Sequence, residues 1–260
     1  MTWRSFVAIG DSFTEGMDDL DPVTGEYRGW ADLVAMRMAE TTADFTYANL
    51  AIRGRLFDNI VDDQVPAALR MHPDLYSFAA GGNDALRRGF EAARLVTRLD
   101  TVVKTLRASG GDVIVFRWVD VGTRMPGQRI VSPRVKALNH AITEVAERRG
   151  GLLVDLWSDE EYRNPALWSV DRLHMNALGH RRTAAHVLAT LGVEPDPTWL
   201  DAPPSLAPVR WTQARRADLA WGREHLVPWV KRRLAGTSSG DHITAKRPEL
   251  APVTATTDVA

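Results

Sequence analysis

The sequence contains no cysteine. Disulfides, thiolate zinc sites and a cysteine nucleophile are thereby excluded, and the chain is compatible with a reducing compartment. It has no apolar run long enough to span a bilayer. It also lacks the charged head, apolar stretch and small-residue cleavage site of a signal peptide, so the cytoplasm is the expected location. A surplus of one charge is missing too, with 32 Lys and Arg against 33 Asp and Glu. That balance hides an asymmetry. Between Arg210 and Arg247 there are nine basic residues against three acidic ones, and the rest of the chain is acidic in compensation. Such a segment could bind nucleic acid or anionic lipid. Docking on its own acidic body is the simpler reading, and no nucleic-acid partner is expected.

What is present suits a globular protein. At 260 residues and 45% hydrophobic content, the chain can bury one full core and carry an appendage. Short apolar runs at residues 5–10, 45–49, 75–79, 113–119 and 152–156 read as strands. They alternate little between apolar and polar residues, as parallel strands covered on both faces do. Helical patterns lie between them, at 30–40, 57–69, 87–108 and 133–149, with a last one at 177–191. Leu95, Leu99, Val102, Val103 and Leu106 recur at helical spacing in the third. The rhythm predicts a three-layer α/β/α sandwich around a five-stranded parallel sheet. Residues 1–192 form the expected catalytic domain, and 193–209, with five prolines, a linker. Residues 210–235 read as an amphipathic helical extension packed on the domain through Trp211, Trp221 and Trp229. Residues 236–260 are rich in small and polar types and read as extended or disordered.

The most informative stretch is Gly10-Asp11-Ser12-Phe13-Thr14-Glu15-Gly16, directly after the first strand. A serine at the carboxyl end of a first strand sits where open α/β sheets bind ligands. Much later comes Asp171-Arg172-Leu173-His174. These supply a nucleophile, a base and a carboxylate to orient the base. Asn49-Leu50-Ala51-Ile52-Arg53-Gly54 ends the second strand on a glycine, and Gly81-Gly82-Asn83-Asp84 ends the third. Chance accounts poorly for so many reactive residue types at the ends of separate strands.

With these blocks the chain resembles the SGNH hydrolase superfamily, the GDSL-type esterases and lipases, over residues 4–192. The resemblance implies a flavodoxin-like fold with strand order 2-1-3-4-5. It implies Ser12 as nucleophile, His174 as base and Asp171 as the orienting carboxylate. It also implies an oxyanion hole made by the backbone N–H groups of Ser12 and Gly54 and the side-chain amide of Asn83. Asp11, Arg53, Arg55, Asp84 and Trp118 are expected around the substrate pocket. The polar types among them favour a short acyl group on a polar scaffold. The substrate is then a small-molecule ester, with no cofactor and no metal. His180 and His186 do not form a helical zinc pair with each other or with His174. The cluster Asp18, Asp19 and Asp21 reads as a solvated loop.

Two other readings remain open. A thioesterase or lysophospholipase could use the same residues. A non-catalytic flavodoxin-like module could instead hold an anion at the glycine-bounded loop.

Overall fold

The computed structural model describes residues 3–124, 127–205 and 210–253. Its centre is a six-stranded sheet. The strands are β1 (Ser5–Gly10), β2 (Thr46–Asn49), β3 (Leu75–Ala79), β4 (Asp112–Arg117), β5 (Leu152–Asp155) and β6 (Arg247–Pro252). Their order is β5-β4-β3-β1-β2-β6. The first five are parallel, while β6 runs antiparallel to β2. The order 2-1-3-4-5 is therefore present, but the expected five strands are six. The sixth comes from the segment read as a loose tail. Its sequence, Arg-Pro-Glu-Leu-Ala-Pro, has two prolines and no clean alternation. Such a strand is tolerated at an edge, where one side needs no ladder partner. It also covers the outer edge of β2.

Burial follows the period of two. In β1, Phe6 and Ala8 enter one apolar cluster, and Val7 and Ile9 the other. The first face carries α2 (Gly29–Thr41) and α8 (Ala177–Thr190). The second carries α6 (Ala92–Ala108) and α7 (Gln128–Arg149). On that second face a continuous helical stretch runs from α3 (Phe57–Asn59) through a π turn (Ile60–Gln64) into α4 (Val65–Met71). Two short helices follow strand ends directly, α1 (Ser12–Glu15) after β1 and α5 (Gly82–Ala85) after β3. Helix α7 starts five residues before Pro133, where the sequence pattern begins. The buried face of Val131 and Val135 holds the turn that proline would otherwise end.

Beyond α8 lie α9 (Trp211–Trp221), a π turn (Gly222–Leu226) and α10 (Val227–Leu234). The expected packing through three tryptophans needs correction. Trp221 is buried at 8% exposure, but Trp211 is 72% exposed and Leu219 76%. The reason is attachment at points rather than along a stripe. Trp221 Nε1–H donates to the Asp171 carbonyl at 2.9 Å, and Arg172 pairs with Asp218 at 2.9 Å. Residues 206–209 of the linker and 254–260 of the tail lie outside the described residues.

Candidate active site

The residues singled out in the sequence meet at the carboxyl edge of the sheet. Ser12 opens α1, with Asp11 as N-cap; the Asp11 carboxylate accepts from Phe13 N at 3.1 Å. The backbone N–H groups of a first helical turn have no partner within their own helix, so the Ser12 amide is available by position. Phe13 fixes this helix. Its ring lies 5.1 Å from Trp118 and 5.5 Å from both Trp30 and Phe116. Gln64 doubles the anchor, accepting from Gly10 N and donating to Gly10 O at 2.9 Å each.

His174 sits on the loop before α8. Asp171 Oδ1 accepts from the backbone of Leu173 and His174, both at 2.9 Å. Arg172 takes a left-handed backbone, φ 64°, to close that turn. His174 Nδ1 is 2.5 Å from Asp171 Oδ2, and Nε2 is 3.0 Å from Ser12 Oγ. A neutral imidazole fits both bonds if Nδ1–H donates to Asp171 and Nε2 accepts from the serine hydroxyl. Burial works against a charged imidazole, yet the Asp171 hydrogen bond and charge, with Asp18 and Asp11 beyond, hold the His174 pKa above its ordinary value. Burial likewise opposes ionisation of Asp171, but its bonds to His174 and the two backbone N–H groups pull its pKa below the usual range.

Gly54 and Asn83 face the same spot. Gly54 has φ +74°, and an added Cβ would lie 2.2 Å from Ser238 Oγ. The glycine is thus required for backbone conformation and for the approach of the C-terminal segment. Asn83 Nδ2 donates to Asp11 Oδ2 and to the Arg55 carbonyl, each at 3.0 Å. Burial raises the Asp11 pKa to about 7, with the Phe13 N–H and His174 opposing. Arg53 is committed to Glu15, its N–H and Nε donating at 2.7 and 2.9 Å. This clamps the Gly54 loop onto α1.

Two cavities meet at this point, and Ser12, Asn83 and His174 line both. The inner one, of about 90 Å³, is walled by Phe13, Trp118, Leu138, Leu156 and Trp168. The outer one, of about 690 Å³, opens between the sheet edge and the C-terminal helices. Of the residues expected around the pocket, Asp11 and Trp118 line the inner cavity and Arg53 the outer. Arg55 and Asp84 line neither. Arg55 acts through its carbonyl, and the Asp84 carboxylate accepts from Phe57 N at 2.9 Å, ahead of α3.

Sequence reasoning missed several supports. His180 is buried; its Nδ1 accepts from Trp30 N and its Nε2–H donates to Met17 O, both at 3.2 Å. Burial pushes its pKa down to about 4, which keeps it neutral. Lys246 reaches under α1 and donates to the carbonyls of Glu15, Tyr27 and Arg28 and to Asp32, at 2.6 to 2.9 Å. No local signal links it to Glu15, 231 positions earlier. Among the described residues, Asp18, Asp171 and His174 are the one set whose ligand-type atoms converge, within 4.8 Å. Both ring nitrogens of His174 are engaged, which suits proton transfer rather than metal ligation. The acidic cluster is divided between tasks. Asp19 accepts from Arg28 and Gly29, and Asp21 from Val23 and Thr24.

An open parallel sheet with these blocks at its carboxyl edge defines an SGNH hydrolase fold. The sequence profile of the GDSL-like Lipase/Acylhydrolase family matches residues 8–182, and the chain belongs to that family. It is a GDSL-type carboxylic ester hydrolase. The fold is similar to that of LAE5, an α/β hydrolase from the metagenome of Lake Arreo, Spain (TM-score 0.62, 21% identity, 74% of this chain and 97% of that one). TesA superposes with a TM-score of 0.58 at 24% identity, over 72% of this chain and 97% of its own. Axe2, an acetylxylan esterase from Geobacillus stearothermophilus, gives 0.62 at 18% identity, over 76% and 97%. No curated protein matches the chain. Among the described residues no helix is long and apolar enough to cross a membrane.

Proposed function

We propose that the protein hydrolyses short-chain acyl esters through an acyl-enzyme on Ser12. The observation that carries this is the continuous relay from Asp171 through His174 to Ser12, at 2.5 and 3.0 Å, at the junction of two unequal cavities. Ser12 Oγ attacks the ester carbonyl while its proton passes to His174 Nε2. The new C–O bond puts negative charge on the carbonyl oxygen. The Ser12 and Gly54 N–H groups and the Asn83 amide stabilise that charge, a contribution of roughly 10²–10³ in rate for each donor. His174 then gives its proton to the departing alcohol as the ester C–O bond breaks. Water, deprotonated by the same imidazole, releases the acid and restores Ser12.

The inner cavity is the acyl pocket in this reading. Its volume is about 90 Å³, against about 690 Å³ for the outer one. The smaller, ring-walled space favours a short acyl group. The rings around it exclude water from the developing charge. The outer cavity receives the alcohol. A wide, partly polar cleft on that side supports a polar scaffold rather than a second long chain. A thioester could enter the same cleft, so activity on acyl-CoA is part of the test.

Hydrolysis of 4-nitrophenyl acetate, butyrate, octanoate and decanoate, beside acetyl-CoA, tests the reading. kcat/KM is expected to be highest for acetate or butyrate and to fall at least tenfold by octanoate. Ser12→Ala is expected to abolish turnover and covalent labelling by a fluorophosphonate. Labelling that persists in Ser12→Ala, or a preference for decanoate, overturns the assignment.

A further inference from the structure

The family match ends at residue 182, yet the chain beyond it surrounds the candidate active site. Ser238 and Gly240 press on Gly54 and Arg53, and an added Cβ on Gly240 would lie 2.1 Å from the Arg53 carbonyl. Trp221 and Asp218 hold the Asp171–Arg172 turn. Lys246 ties down the Glu15 carbonyl at the end of α1. Between these attachments Trp221, Pro228, Trp229, Arg232 and Ser239 form one wall of the outer cleft. Arg88, Ile130 and Arg134 of the body line the same cleft.

The charge of this cleft is net positive. Arg53 is neutralised by Glu15, while Asp171 keeps its charge as acceptor from a neutral His174. What faces the space is Arg88, Arg134 and Arg232 against two carboxylates, Glu224 and Asp171. Arg134 is held in place by donating to the carbonyls of Ala85 and Arg87, at 3.1 and 2.6 Å, which leaves its charge uncompensated. Arg88 and Arg232 are exposed and have no ion pair among the described residues. Arginines lining one cleft match the planar oxygens of carboxylate or phosphate.

We propose that the C-terminal segment completes the alcohol-side subsite of the ester site, and that this subsite takes an alcohol bearing a carboxylate or phosphate. The proposal rests on the esterase reading for the direction in which the substrate lies. Arg232 of the segment and Arg88 of the body grip the anion, with Arg134 behind them. The anion would be held across the cleft while the acyl group enters the inner pocket.

The test compares two acetyl esters of equal shape, 4-acetoxybenzoate and its neutral counterpart 4-acetoxybenzamide. The ratio of their kcat/KM values cancels any loss of folded protein in a variant. At low salt the wild type is expected to favour the benzoate about fivefold, as two or three partly exposed ion pairs at 0.2–1 kcal/mol each would give. High salt should shrink the preference. Arg232→Gln should lower the ratio by itself, and Arg88→Gln with Arg232→Gln should bring it close to one. Equal rates in the wild type, or a ratio unmoved by Arg232→Gln, overturn the proposal and leave the esterase reading standing. A 4-acetoxybenzoate arm replaced by acetylated 4-hydroxyphenyl phosphate separates phosphate from carboxylate as the preferred anion. If neither ester is hydrolysed, the esterase reading fails and binding decides the subsite. Tryptophan fluorescence, with Trp221 and Trp229 in the wall, follows 4-hydroxybenzoate and 4-hydroxybenzamide. Tighter binding of the anion, lost in the double variant, sustains the subsite; equal binding overturns it.

Discussion

The inner pocket and the outer cleft share six residues, Ser12, Met17, Asn83, Leu86, Leu173 and His174, and are otherwise built on different terms. The inner pocket is carved from the sheet's own core. Phe13, Trp118 and Leu156 pack in the same cluster as Phe6, Trp30 and Phe116. A change there disturbs packing that also stabilises the fold, and truncating such a side chain costs several kcal/mol. The outer cleft has one wall on the core and the other on helices that leave Trp211 and Leu219 in solvent. That second wall is fastened by a few hydrogen bonds and ion pairs. In the proposed reaction acyl selection would thus be tied to stability, whereas selection of the alcohol would rest on surface arginines that substitutions can alter cheaply. Ser12, Asn83 and His174 stand at the boundary of the two cavities.

The largest effect that would sharpen this contrast lies on the shared boundary. Asp171→Asn is expected to lower kcat by about 10³–10⁴, because an amide no longer holds the imidazole in its useful tautomer. It should also move the pH profile. The base works only when neutral, so kcat/KM rises as His174 loses its proton. Its pKa is held above the ordinary value, chiefly by Asp171 against the opposing effect of burial. The wild-type midpoint should therefore fall above pH 6.5, and in Asp171→Asn it should shift to lower pH. A pH–rate series on 4-nitrophenyl acetate checks both outcomes. An unshifted midpoint would mean that Asp171 does not set the charge on His174.

Next in size is Asn83. Removing an oxyanion donor typically costs about 10²–10³ in rate. Here both amide hydrogens are already engaged, by Asp11 and by the Arg55 carbonyl. The oxyanion exchanges for one of these bonds rather than gaining a new one. Asn83→Ala should then lower kcat by about 10², at the lower end, with a smaller change in KM. A wild-type kcat would remove Asn83 from the oxyanion hole.

Much of the body was legible in the sequence. Its strands are short apolar runs ended by Gly10, Gly54 and Gly81, and the period of two and the glycines carry that information locally. The candidate site residues were legible for a related reason, since each sits within a few residues of a strand or helix end. The C-terminal half of the cleft was not. Trp211 and Trp221 look alike in sequence, yet one is 72% exposed and the other buried against the base loop. What separates them is a contact with Asp171 across 50 residues, which no local pattern encodes. Strand β6 was missed because its two prolines argue against a strand, and only its edge position makes them acceptable. Lys246 was missed because its four partners lie 214 to 231 positions earlier in the chain, where no local pattern points to them.

The smallest effect tests whether the outer wall reaches the chemistry or merely borders it. Trp221→Phe keeps a ring beneath the Arg172 guanidinium, which lies 5.0 Å from the indole, but removes the N–H that donates to the Asp171 carbonyl. A hydrogen bond of this kind contributes about 0.5–1.5 kcal/mol. If that bond helps hold the left-handed turn at Arg172, its loss loosens the Asp171–His174 geometry, and kcat should fall about three- to tenfold with KM little changed. Trp211→Ala, at an exposed position ten residues earlier on the same helix, should leave kcat within about twofold, as surface substitutions usually do. The pair of variants separates a positioning role from general support by α9. Equal losses in both would mean that the helix matters only as bulk. A loss confined to Trp221→Phe would tie the segment beyond the family match directly to the base.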